Sequence, residues 1–280
     1  MPNYFFFILL IIVSSLLFVY TIYKTKEKYI IAHFLVMSGL AFVLEYFVLI
    51  IGNGYKYYPN FIENAFYDSL LGSLVSQAVA IPIAATVIAA FRLNFLHMLA
   101  ITAGFIAIET YFIHIEIYEQ FWWETYFTAV LLPIYFLFGK FWLLLLQNVK
   151  HTIVHYTTLY FMTLTLNSVI LFFLVLLLKT HELQVGWYDN PYRDHIAANS
   201  IYIIILSAIF SILILKKVRW YVYFIVLIGY NIIDHLMVWN GMLELANWWN
   251  VFYFSLLNLT DLLMVYFLNE YLKFKYFLFD

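Results

Sequence analysis

Cysteine is missing from all 280 residues. Its absence excludes disulfides, thiolate nucleophiles, Cys-ligated zinc, iron–sulfur sites and cysteine lipidation, while leaving the redox compartment open. Charge is nearly as scarce: charged residues are 11% of the chain, where an ordinary soluble domain carries about 25%. With 14 basic residues against 16 acidic ones, there is no basic field of the kind that nucleic acid requires, and nucleic acid is excluded as a partner. Enzyme signatures are absent as well. There is no GxxxxGK[ST] phosphate loop, no GxGxxG, no GxSxG nucleophile elbow and no pair of Glu-x-x-His helices. The sequence therefore assigns no catalytic residue, no cofactor and no metal.

What the chain does have is apolar surface. Hydrophobic residues make up 66% of it and aromatic ones 22%, more than a soluble fold of this size can bury. Runs such as 30–51 and 152–178 exceed the roughly 18 to 20 apolar residues that carry a helix across a bilayer. They are too long and too continuous for the alternating strands of a barrel, which run about ten residues each. The reading is an all-α integral membrane protein with spans at 4–23, 30–51, 64–91, 95–115, 123–146, 152–178, 197–215, 220–241 and 248–269. The first run is followed by Lys24, Lys26 and Lys28 rather than by a small-residue cleavage site, so it is read as a retained span. Asn258-Leu259-Thr260, the sole N-x-[ST] match, falls inside a span and is no glycosylation site.

These spans separate the basic residues. Lys24, Lys26, Lys28, Arg92, Lys140, Lys150, Lys216, Lys217, Arg219, Lys273 and Lys275 fall on one side, and Lys56, Lys179 and Arg193 on the other. The positive-inside rule then puts the N-terminus outside and the C-terminus inside. Acids gather in or next to the outer loops, at Glu63, Asp68, Glu116, Glu119, Glu124, Glu182, Asp189, Asp194 and Glu244. An acidic mouth would concentrate cations; ordinary loop solvation accounts for the same residues.

Two stretches echo one another. Arg92 leads to Glu109, Trp122-Trp123 and Tyr126-Phe127; Arg219 leads to Asp234, Trp248-Trp249 and Phe252-Tyr253. Upstream, Gly54-Tyr55-Lys56-Tyr57-Tyr58-Pro59 matches Gly186-Trp187-Tyr188-Asp189-Asn190-Pro191 in spacing and aromatic content, at the cost of a few indels. Interfacial anchoring explains the tryptophans but not the acids before them. The expected organisation is a first helix and basic loop over 1–29, then tandem four-helix repeats over 30–150 and 151–280. An even number of spans per repeat makes them parallel, related by an axis along the membrane normal.

An acid, about thirteen residues, Trp-Trp and further aromatics is a pattern that resembles a group of multi-pass membrane proteins from endospore-forming Gram-positive bacteria. The resemblance covers about half of the chain. It implies a place in a bacterial cytoplasmic membrane and supplies no catalytic residue or substrate.

Four acids fall within spans: Glu45, Glu109, Asp234 and Asp261. An ionised acid at the centre of a helix costs about 2.5 to 3.5 kcal/mol on insertion scales, so each should face the bundle interior, a partner or water. Asn231 shares a helical face with Asp234, and Asn258 with Asp261. If spans 8 and 9 pack together, those faces would meet and could hold a proton or cation, or simply join the helices. In span 3, Asp68, Gly72, Ser76, Ala80 and Ala84 form a small-residue ridge beside Ser69, Ser73 and Gln77, and Pro82 should bend the helix. Span 3 is therefore expected at the centre. His151 and His155 have the spacing of two metal ligands, without the acid of an HExxH pattern. His195 is expected in an outer loop.

The leading expectation is a non-enzymatic protein that binds or passes a small solute, proton or cation at a polar pocket built from Glu45, Asp68, Gln77, Glu109, Asn231, Asp234 and Asp261. Its partners would be the lipid bilayer and such a solute. One alternative is a structural or accessory subunit of another membrane protein. Another is an intramembrane enzyme acting on a lipid.

Overall fold

A computed structural model describes residues 2–148 and 151–277, and the chain is 77% helical. Lys150 lies outside the described residues, as does the side chain of Lys275. Among the described residues, nine helices are long and apolar enough to cross a membrane. The chain divides between Val154 and His155 into two compact units.

The first unit opens with α1 (Tyr4–Thr25) and α2 (Ile30–Glu45), which runs on as a π-helical segment, Tyr46–Ile51. Next come β1 (Tyr55–Tyr57), α3 (Ala65–Leu74), a second π segment (Val75–Ala80) and α4 (Ile81–Ala90). Then follow α5 (Phe95–His114), β2 (Tyr118–Gln120) and α6 (Thr125–Asn148). Asparagines start two of these helices. Asn64 Oδ1 accepts from the Phe66 and Tyr67 amides at 3.0 Å, and Asn94 Oδ1 from the His97 amide at 3.1 Å, filling donors that a helix start leaves open. α4 packs on α1, α2 and α6, around a core of Met37, Ala85, Ile88, Met98 and Phe136. Across Ala65–Ala90, 67% of the apolar window is buried, more than in any other span. The small-residue ridge explains this, since it lets neighbouring elements approach. A Cβ on Gly72 would lie 2.5 Å from that of Tyr57, so β1 can lie on this helix only where the helix has no side chain.

Pro82 acts where the helix changes register. Its ring nitrogen cannot donate to the Ala78 carbonyl, and the π segment ends two residues before it, at Ala80. The freed carbonyl accepts instead from Ser38 Oγ on α2, at 3.1 Å. Close by, the fully buried His33 places Nδ1 3.1 Å from Thr86 Oγ1 and Nε2 2.8 Å from the Gly139 carbonyl, linking α2, α4 and α6.

The second unit continues α7 (Thr152–Leu176) into β3 (His181–Leu183), α8 (Pro191–Lys216), α9 (Trp220–Trp239), β4 (Leu243–Leu245) and α10 (Val251–Phe277). α8 begins at Pro191 rather than near 197, because Asn190 caps it and a proline suits a first helical turn, where no amide hydrogen is needed. His195 thereby lies within a helix, one residue past its first turn and 1% exposed, instead of in an outer loop.

Two short strand pairs join the connections between the helices of this all-α fold. β1 pairs antiparallel with β2, Tyr57 opposite Tyr118, and β3 with β4, Leu183 opposite Leu243. Three residues per strand are too few to show an alternating pattern in sequence.

One hydrogen-bonded loop occurs in both units. Asp68 accepts from the amides of Asn60, Phe61 and Ile62 at 2.8 to 2.9 Å; Asp194 accepts from Val185, Gly186, Trp187 and Tyr188 at 2.7 to 3.2 Å. Asn60 and Gly186 hold the same place, both left-handed, with φ of 56° and 78°. Four residues before each acid stands the capping asparagine, Asn64 or Asn190. The next residue after each acid, Ser69 or His195, accepts from the last amide of the strand, Tyr57 or Leu183. Gly54 thus corresponds to Thr180, not to Gly186. The Gly54 and Thr180 carbonyls accept from Phe121 and Ala246, in the same position beside each strand pair.

Candidate functional site

A cavity of about 450 Å³ opens within the first unit. Most of its wall is apolar, from Leu40, Leu44, Phe105, Phe112, Leu131 and Phe138 among others. Its polar part includes Glu45, Tyr55, Tyr57, Gln77, Glu109 and Tyr118.

The strand pair supplies a partner to each of the two acids. Glu45, at the end of α2 and 7% exposed, accepts from Tyr55 Oη at 2.5 Å and from Ser73 Oγ. Glu109, on α5, accepts from Gln120 Nε2 at 2.7 Å. Tyr55 and Gln120 are register partners in β1 and β2. Each carboxylate is therefore tied to one half of a single paired position. Burial keeps the Tyr55 phenol protonated far above its ordinary range, and the negative Glu45 beside it adds to the effect. The Tyr57 and Tyr118 phenols are shifted in the same direction, chiefly by burial. These hydroxyls are thus fixed as neutral donors around the carboxylates. Tyr57 and Tyr118 pack across the strands with centroids 4.7 Å apart and their rings tilted by 36°, and Trp123 meets Tyr55 edge-on at 6.0 Å.

The tryptophan pair has two tasks here. Trp122 Nε1 donates to the Gly52 carbonyl at 2.7 Å, taking up an acceptor at the end of the π segment. Trp123 lines the cavity, with its Nε1 on Thr128 Oγ1 at 3.1 Å.

In the second unit a smaller cavity, about 70 Å³, is bordered by Asp234, Asn258 and Asp261, with Asn167 and Tyr202 from α7 and α8. Asp234 is 2% exposed, and Tyr202 Oη donates to its Oδ1 at 3.5 Å. His181, Asn199 and His195 form a buried polar cluster beside it, with the two imidazoles 5.3 Å apart. Burial lowers the pKa of His181 to about 4, so this ring is neutral.

The sequence candidates thus fall into three groups. Glu45, Gln77 and Glu109 line the first cavity; Asp234 and Asp261 line the second. Asp68 and Asn231 line neither. Asp68 is spent on the loop amides, and Asn231 Nδ2 donates to Ser255 Oγ at 2.5 Å, joining α9 to α10. Glu109 and Asp234 each border a cavity made by their own unit. His155 Nε2 lies 2.7 Å from Asn269 Oδ1, and no cluster of three or more His, Cys, Asp or Glu suited to a metal occurs among the described residues. Sequence reasoning missed Tyr55, Ser73, Gln120, Asn167 and Tyr202. Each becomes a site residue through a neighbour that only the fold brings near, and uncharged hydroxyls and amides carry no periodic signal that singles them out. Comparison of the chain with protein-family models, with curated proteins and with solved structures gives no match.

Proposed function

We propose that this chain is a multi-pass membrane protein whose first unit binds a small, mostly apolar solute. The head of that solute is cationic or donates hydrogen bonds. One observation carries the reading: two acids from different helices, Glu45 and Glu109, border one cavity of about 450 Å³ whose remaining wall is largely apolar. That volume is within the range of about 300 to 1,000 Å³ usual for small-molecule sites, which also pair apolar walls with a few placed polar groups. The acids supply acceptors only, which selects a donor head. The predominance of apolar wall favours such a solute over a bare ion in this unit.

The same proposal places the strand-bearing end outside, in a bacterial cytoplasmic membrane. The uneven distribution of lysine and arginine between the two ends supports that orientation. The pairing of β1 with β2 and of β3 with β4 supports the span count, because each pair needs its two connections at one end. A tandem origin for the two four-helix repeats is supported by the shared loop, with Asn64, Asp68 and Ser69 answered by Asn190, Asp194 and His195. The tested property is solute binding. Native mass spectrometry of the purified protein, with a panel of alkyl amines and alcohols, is expected to show a saturable adduct weakened about tenfold or more by Glu109→Gln. A liposome flux assay with the same panel tells binding from passage. If no compound binds and no flux exceeds that of empty vesicles, the reading fails.

A further inference from the structure

The small cavity of the second unit contains polar atoms that the protein leaves unsatisfied. Asp234 Oδ2, Asn167 Oδ1 and Asn258 Nδ2 are all buried and have no hydrogen-bond partner. The residues are 2%, 4% and 4% exposed, and all three border the same space of about 70 Å³. Leaving a buried polar atom unpaired forfeits its hydration with nothing in return, and a lone buried carboxylate forfeits more. Three such atoms converging on one cavity therefore describe a site whose ligand supplies what the protein does not.

The chemistry of that ligand follows from its wall. No lysine or arginine borders the cavity, and the one imidazole that does, His181, is neutral. Thus none of the residues that border the cavity supplies a cation to the carboxylate of Asp234. Asn167 is held in a definite orientation, because its Nδ2 lies 3.3 Å from Ser207 Oγ and so turns Oδ1 to the open side. A half-turn of the Asn258 amide presents its oxygen in place of its nitrogen. Tyr202 Oη and the Asp261 carboxylate complete a set of oxygen donors. Hard cations take such ligands. A divalent ion would call for a denser set of anionic ligands than this one, and the space admits a small ion with some retained water.

We propose that the second unit binds a partly dehydrated monovalent cation of sodium's size between Asp234, Asn167 and Asn258. The site belongs to the second unit alone and stands or falls independently of the solute cavity in the first.

The test is thermal unfolding of the full-length protein in detergent, followed by tryptophan fluorescence, with sodium chloride replacing choline chloride at constant ionic strength. A saturable rise in Tm with sodium is expected in the wild type, and none in Asp234→Asn. Because that variant could fail to fold, Asn167→Leu provides a second arm. It removes one oxygen and is expected to raise the half-saturating sodium concentration by about tenfold or more. Uptake of radioactive sodium by the purified protein, reduced by unlabelled sodium but not by choline, gives the same result without reference to stability. Equal Tm values in sodium and choline overturn the proposal, as does a sodium response that survives both substitutions.

Discussion

Asp68 and Asp194 show how a buried acid can serve structure rather than chemistry. Both stand in the first turn of a helix, where the helix dipole favours negative charge, and both collect backbone amides of the preceding loop. Sequence alone marks Asp68 as a pocket residue because it heads the small-residue ridge. The loop amides that claim it are main-chain groups of Asn60, Phe61 and Ile62, and a main-chain donor leaves no mark in the sequence. Asp68→Ala is expected to lower stability by roughly 2 to 4 kcal/mol, since it strands several amides at once. Asp68→Asn keeps one oxygen acceptor and should fall between the variant and the wild type. Chemical unfolding in detergent measures both; an Asp68→Ala protein as stable as the wild type would contradict the anchoring role.

At the level of elements, the third span illustrates what a proline does when a neighbour compensates. Pro82 was legible as a point of distortion, and the ridge before it as a packing face. Illegible was the partner, Ser38, whose hydroxyl takes the Ala78 carbonyl from another helix. Ser38→Ala should cost about 1 to 3 kcal/mol by leaving that carbonyl unpaired. In the double variant Ser38→Ala/Pro82→Ala, residue 82 regains an amide that can donate to Ala78. Most of the loss should then be recovered, and a double-mutant cycle measures the coupling. Additive effects would show that the proline and the serine act separately. The strand pairs belong to the same scale. Each is only three residues long, yet the register of β1 with β2 pairs Tyr55, which holds Glu45, with Gln120, which holds Glu109.

For the whole molecule, alternating spans assign every connection to one of two ends, and the absence of cysteine makes that assignment directly testable. Single cysteines at Asn60 and Glu182 should react with a membrane-impermeant maleimide added outside intact cells. Cysteines at Lys26 and Lys217 should react only after the membrane is opened. The opposite labelling would reverse the orientation, and mixed labelling of one end would refute the span count.

Hydropathy is a property summed over neighbours in the chain, so the run lengths alone determined the membrane-spanning class and the approximate place of each span, though not the early start of α8 at Pro191 or the extension of α10 to Phe277. The acids were visible for the same reason: a charge in an apolar run stands out without knowledge of the fold. Which of those acids is satisfied could not be read that way, because hydrogen-bond partners are set by distance in space. Only the tertiary structure assigned Asp68 to a loop, gave Glu45 and Glu109 a common cavity through Tyr55 and Gln120, and left one oxygen of Asp234 facing an opening with nothing in the protein to meet it.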